Sequence, residues 1–201
     1  EPQSTRSRRL EQVKMNVFEN GAFYLLSELC RLQPRMSRGV AKLSSKLISN
    51  SERTDVSYHI YPSNRLVKFI ETEYAIPLMR FEEAMEEIHA TFSQQNIGVH
   101  FPIECRTTSA EDGFLSPTLN RESAFIAFHM YKGMNEQFYF NWVHELMQKY
   151  DGRAHWGKVN TYERADIFAL YPGASKFNEI RGEWDPHGVF LTDYFKRVFD
   201  L

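Results

Sequence analysis

Two stretches of strict period-two alternation constrain this chain more than any other feature. From Val99 to Thr107, the residues Val99, Phe101, Ile103 and Cys105 fall on one side, and His100, Pro102, Glu104 and Arg106 on the other. Successive strand residues point to opposite faces, so this spacing sets Glu104 and Arg106 side by side. From Ser123 to Tyr131, Ala124, Ile126, Phe128 and Met130 make an apolar face, with Phe125, Ala127 and His129 opposite. If the two strands are neighbours, one sheet face is apolar and helix-covered. The other then presents a carboxylate, a guanidinium and an imidazole. Alternation of Val56, Tyr58 and Ile60, and a run from Arg65 to Ile76 stopped by Pro77, predict two further strands.

Helical spacing accounts for much of the remainder. Ala22, Leu25, Leu26 and Leu29 form a stripe between Phe18 and Arg31, ended by Pro34, and a short helix is expected over Val40 to Leu47. Ser49 to Asp55 reads as a polar loop, and residues 1 to about 15 as linker or exposed helix. Phe81, Ala84, Met85, Ile88 and Phe92 stripe another helix. Downstream, Phe138, Trp142 and Leu146 stripe a helix ending near Asp151. A Thr161-capped helix runs to Tyr171, and Phe177, Ile180 and Trp184 stripe a third that ends in the Asp185 to Gly188 turn. The expected class is α+β, an antiparallel sheet flanked by helices.

Composition excludes several functions. Apolar content is 42% and charged content 25%, the balance of a soluble globular protein. A formal net charge of -2 provides no basic field for nucleic acid. No apolar run is long enough to span a membrane, and Cys30 and Cys105 are too few for a disulfide scaffold. Cys105, on the apolar side of its strand, reads as a small core residue. His144-Glu145 opens like a zinc helix motif, but Gln148 stands where the second His belongs, so no protein-bound metal is expected. There is no G-x-G-x-x-G, no P-loop and no G-x-S-x-G. The charged start "EPQSTRSRRLEQ", without initiator Met or apolar signal region, reads as the interior of a longer protein.

The loop from Gly152 to Lys158, "GRAHWGK", gathers two cations, an imidazole and an indole between glycines that permit close approach or φ > 0. Trp156 as a core plug and Lys158 as a solvated charge are the plain alternative.

With "ETEYAIP" (Glu71 to Pro77), "FPIECRTT" followed by "FLSP", and "YPGASKFNEIRGEWDPHGVFLTDYFKRVF", this loop completes an ordered set. The set resembles the C-terminal half of the aldonolactone oxidoreductases and alditol oxidases, within the vanillyl-alcohol-oxidase-like flavoproteins. The resemblance runs from about Val56 to the last residue. It implies a cap-domain sheet over a flavin, with FAD held mainly by an N-terminal domain absent from this chain. That domain, in the same protein or a partner subunit, would be the partner, and a sugar lactone or polyol the substrate. Expected boundaries are 1–55, linker and helical part of the cap; 56–150, cap sheet and helices; and 151–201, a C-terminal segment packing on the FAD-binding domain.

The resemblance also assigns roles, for hydride transfer from a carbinol carbon to flavin N5. Arg106 and Lys158 hold the reacting hydroxyl and stabilise the developing alkoxide. Glu104 orients Arg106 or accepts a substrate hydroxyl. His129 sets specificity or serves as base, and His155 lies close to the flavin. The alternatives are a cross-strand salt bridge for Glu104 and Arg106, and a satisfied sheet histidine for His129. Ala154, Asn160 and Asp193 depart from the family's usual Pro, His and Asn. The rival from another class is a non-catalytic binding module that keeps the cap fold.

Overall fold

The computed structural model describes residues 20–47, 56–60 and 67–199. The expected loop Ser49 to Asp55, the N-terminal linker and the first residues of the strand from Arg65 lie outside them. The chain divides into two compact units. The first comprises Glu1–Ile70, Phe92–Pro102 and His129–Asn135, and the second Glu71–Thr91, Ile103–Phe128 and Glu136–Leu201.

In the first unit, α1 (Gly21–Leu32) is followed by a 3-10 turn (Pro34–Met36), α2 (Ser37–Leu47) and the short α3 (Ser57–Ile60). Pro34 has no N–H to continue α1, and Gln33 N–H closes the helix on Leu29 O at 2.8 Å. The expected apolar stripe is not the buried one. α1 buries Ser27 and Cys30, whereas Leu25 and Leu29 are exposed. Ser27 is covered because His100 needs a partner: Ser27 Oγ donates to Phe23 O at 2.7 Å, so His100 Nε2–H donates to Ser27 Oγ at 2.9 Å. Phe23, Phe101 and Tyr131 ring the buried imidazole, and burial lowers its pKa from 6.5 to about 4. His129 is buried in the same unit, edge-on to Phe69 at 5.0 Å and stacked on Phe101 at 6.1 Å. Two strand expectations are corrected here. Val56 to Ile60 is not extended, since Ser57–Ile60 is a helical turn. The strand expected from Val99 begins only at Glu104, because His100 and Phe101 pack in the aromatic cluster of this unit.

The sheet strands are β1 (Phe69–Pro77), β2 (Glu104–Thr108), β3 (Ser123–Tyr131) and β4 (Arg153–Ala154), in the order β2-β3-β1-β4. The unit boundary cuts β1 after Ile70 and β3 after Phe128. β2 pairs antiparallel with β3, Glu104 opposite Ala127 and Arg106 opposite Phe125. Leu78 N–H donates to Glu122 O at 3.0 Å, bracketing β1 against β3 antiparallel and setting Glu73 opposite Ala127. β4 pairs with β1, Tyr74 opposite Ala154. Glu104, Ala127 and Glu73 therefore stand in one row across the sheet.

The sheet's apolar face is covered by α4 (Phe81–Gln94) and α5 (Gln137–Lys149). Phe128 meets Tyr139 and Trp142 of α5 edge-on. α5 buries Tyr139, Phe140, Val143, Leu146 and Met147, each large apolar side chain contributing about 1.5–3 kcal/mol. Phe138, expected on that stripe, is exposed. Cys105 does face α4, 4.0 Å from Met85 Sδ, but β2 is the sheet edge and leaves it exposed rather than in the core. α6 (Arg164–Leu170) is capped by Glu163, whose carboxylate and that of Asp166 bond each other's backbone N–H. Thr161, the expected cap, lies outside the helix. α7 (Ala174–Trp184) and α8 (Asp193–Phe199) complete the unit. Val198 and Phe199 of α8 are buried, Phe199 against Phe168 and Phe177, while Trp184, Val189 and Phe190 are exposed. Among the described residues no helix is long and apolar enough to cross a membrane.

Candidate active site

Opposite the helix-covered face, the second unit carries the charged residues. On β1, Glu71, Glu73 and Ala75 alternate onto one side, next to Ala127 and Phe125 of β3, then Glu104 and Arg106 of β2. The small side chains of Ala127 and Ala75 leave room for long ones from the edges. Arg106 uses that room: its guanidinium lies over Phe125, 5.7 Å from the ring centre, and reaches beyond β3 to Glu73 on β1. Nε–H donates to Glu73 Oε1 at 3.1 Å, and Nη2–H donates to the same oxygen. The ion pair raises the Arg106 pKa above the usual guanidinium value. Exposure is lopsided: the Glu73 side chain is 0% exposed and that of Arg106 67%.

On the other side of β1, the loop from Gly152 to Lys158 adds the second cation. After β4 the chain stays on the β1 edge, with His155 N–H donating to Glu73 O at 2.9 Å and Val159 N–H to Glu71 O at 3.0 Å. A regular ladder would bring residue 157 opposite Glu71, so two extra residues bulge out here. Lys158 N–H donates to His155 O at 3.1 Å, closing the bulge as a turn. The bulge places Lys158 Nζ in an ion pair with Glu71 Oε2, and both side chains are largely buried. Gly157 N–H donates to His155 Nδ1 at 3.1 Å, so in the neutral ring Nε2 carries the proton and can donate outward.

The loop is anchored behind the site. Trp156 Nε1–H donates to Leu115 O at 2.7 Å, and its ring packs on Tyr171 and Phe195. Trp156 is a structural plug, and neither Gly152 nor Gly157 has a positive φ. The left-handed residue is Asp151, at φ 51°. Gly152 is needed for close approach: a Cβ there would lie 2.8 Å from Met147 O. Tyr162 OH donates to Gly152 O and Tyr171 OH to Ala154 O, so two buried phenols pin the strand that precedes the bulge.

The structure thus brings Arg106, Lys158, Glu104 and His155 to one unit. Glu104 shares the face of Arg106, but it is exposed and makes no hydrogen bond to it; its charge acts on Arg106 only at longer range. The carboxylates that hold the cations are Glu71 and Glu73, which the sequence reading did not single out. Their signal was present in the spacing of "ETE", which puts two carboxylates on one face of the strand. His129 belongs to the other unit, in its aromatic cluster. Among the described residues no His, Cys, Asp and Glu side chains gather as a metal site.

A sequence model of the D-arabinono-1,4-lactone oxidase family matches residues 1–198. The chain belongs to that family. It is similar to an L-gulono-1,4-lactone dehydrogenase of Mycobacterium tuberculosis, 36% identical over 181 residues covering 90% of this chain and 42% of the relative. L-gulonolactone oxidase of Mus musculus is 30% identical over 187 residues, covering 88% of this chain and 42% of that protein. An alditol oxidase of Streptomyces is 25% identical over 132 residues, 65% of this chain and 32% of the relative. The chain spans about 42% of the length of the first two of these relatives.

Proposed function

We propose that this chain is the cap and C-terminal part of an FAD-dependent oxidoreductase that oxidises a sugar 1,4-lactone, or an alditol, at a CH–OH carbon. Arg106 and Lys158, held by Glu73 and Glu71 from one side of the same strand, carry this reading. The donor set suits a flavin's ring side: an exposed guanidinium, a partly exposed ammonium and the Nε2–H of His155 lie in one unit, whereas the sequence holds no phosphate-cradling loop. When bound, FAD supplies the hydride acceptor at flavin N5. Oxidation removes a hydride from the carbinol carbon and releases the proton of its hydroxyl to water, so negative charge grows on the oxygen as that proton leaves. Arg106 N–H groups and Lys158 Nζ donate to that oxygen and stabilise the charge as it develops. Glu104, exposed on the same face, accepts a hydrogen bond from a neighbouring substrate hydroxyl. His155 donates Nε2–H toward the flavin. Val189 and Phe190, exposed beside α8, are proposed to pack on the FAD-binding domain.

One observation favours the rival, a cap that binds without catalysing: both cations are already ion-paired. The test is kinetic. In the full-length protein, Lys158→Met should lower the rate of lactone-driven flavin reduction about 100-fold or more, with FAD content unchanged. Unchanged reduction would leave Lys158 as a structural cation and favour the rival.

A further inference from the structure

We propose that Glu73, seconded by Glu71, is a positioning residue that sets the direction in which Arg106 offers its N–H groups. The proposal rests on the functional reading above only for what those groups meet. Both Nε–H and Nη2–H of Arg106 go to a single oxygen, Glu73 Oε1. One edge of the planar fork is therefore occupied, and Nη1 with the outer Nη2 hydrogen points away from β1. Phe125 flanks the guanidinium, 5.7 Å from ring centre to guanidinium carbon. The two bonds on that edge set the direction in which the rest of the fork points.

The asymmetry of the pair argues that direction, not stability, is what it secures. A carboxylate at 0% exposure bound to a guanidinium at 67% is a poor stabilising device, because the acid loses its hydration while the base keeps much of its own. A neutral or apolar residue at position 73 would fold as well or better. Glu73 Oε2 is buried with no hydrogen-bond partner among the described residues, so no wider network explains the acid. Its neighbour Glu71 makes the same kind of grip on Lys158, and its charge also reaches Arg106. Lysine is a point charge without a fork, so there the carboxylate anchors position alone.

The experiment uses the full-length protein and Glu73→Gln, which keeps the shape and removes the charge, beside Glu73→Asp and Arg106→Gln. Limiting flavin-reduction rate, half-saturating lactone concentration, thermal midpoint and the ¹⁵N NMR signal of Arg106 Nε–H are read for each. Glu73→Gln is expected to lower the limiting rate about 10- to 100-fold, with half-saturation changed less than about threefold. The Arg106 Nε–H signal should lose its protection from solvent exchange, and Glu73→Asp should restore part of both. In the Arg106→Gln background, Glu73→Gln should change the rate less than about twofold. A Glu73→Gln protein that melts lower yet keeps its rate and its protected Nε–H signal would overturn the proposal. So would an equal loss in the Arg106→Gln background. If no sugar lactone or polyol reduces the flavin of the unmodified protein, the functional reading falls and the NMR signal alone decides. Its persistence in Glu73→Gln then overturns the positioning role, and its loss upholds it.

Discussion

Glu73 and His100 show how differently burial acts on a charge and on a neutral base. Glu73 is buried beside a guanidinium, so removing that partner strands its charge. Arg106→Ala should therefore destabilise the fold by about 2–4 kcal/mol, while Glu73→Gln/Arg106→Gln together should recover most of the loss, measured by thermal or denaturant melts. His100 is buried with a hydroxyl for a partner, and burial holds its pKa down from 6.5 to about 4. Above the unfolded value both states are neutral and the group is silent. As pH falls through the window between those values, the unfolded chain takes up a proton that the folded one resists. Stability of the first unit should drop there, by at most about 1.4 kcal/mol per pH unit. His100→Gln should flatten that slope in hydrogen exchange of α1. At this scale the sequence showed the cations but not their carboxylates. Arg106 and Lys158 stood in recognisable motifs, whereas the Glu73 partnership depends on a strand register two strands away from Arg106.

At the scale of elements, the informative piece is the bulge between β4 and Val159, which turns an edge strand into a mount for Lys158. Its position is set by tight packing behind it rather than by loop flexibility. A Cβ at Gly152 would meet Met147 O at 2.8 Å, and one at Gly173 would meet Phe114 Cα at 2.8 Å, both involving backbone that cannot step aside. Gly152→Ala and Gly173→Ala should each lower stability by about 1–3 kcal/mol, read as a lower thermal midpoint, with Gly152→Ala also displacing Lys158. β3 was legible from end to end because its alternation is strict and both faces are used. β2 was over-extended because His100 and Phe101 pack in the aromatic cluster of the first unit rather than in the sheet. Ser57–Ile60 is helical although Val56, Tyr58 and Ile60 alternate, since three alternating positions are too few to fix a period. The α1 stripe failed for another reason: one of the two buried positions, Ser27, is held by its bond to His100 rather than by hydrophobicity.

For the molecule as a whole, the chain is an α+β member of the D-arabinono-1,4-lactone oxidase family that spans about 42% of its closely matched relatives. The family was legible from four ordered motifs, and the architecture from periodicity. The division into two units was not, because β1, β3 and α4 each run through a boundary and carry no composition shift there. The central claim is that Arg106 and Lys158 act on a substrate oxygen at a flavin. Its most direct test is anaerobic titration of the full-length, FAD-loaded protein with L-gulono-, D-arabinono- and galactono-1,4-lactones and xylitol, following the visible flavin band. The account predicts bleaching by at least one of them, slowed about 100-fold or more by Lys158→Met and by Arg106→Lys with FAD still bound. A flavin that all of them leave oxidised, or bleaching at an undiminished rate in both variants, would contradict it.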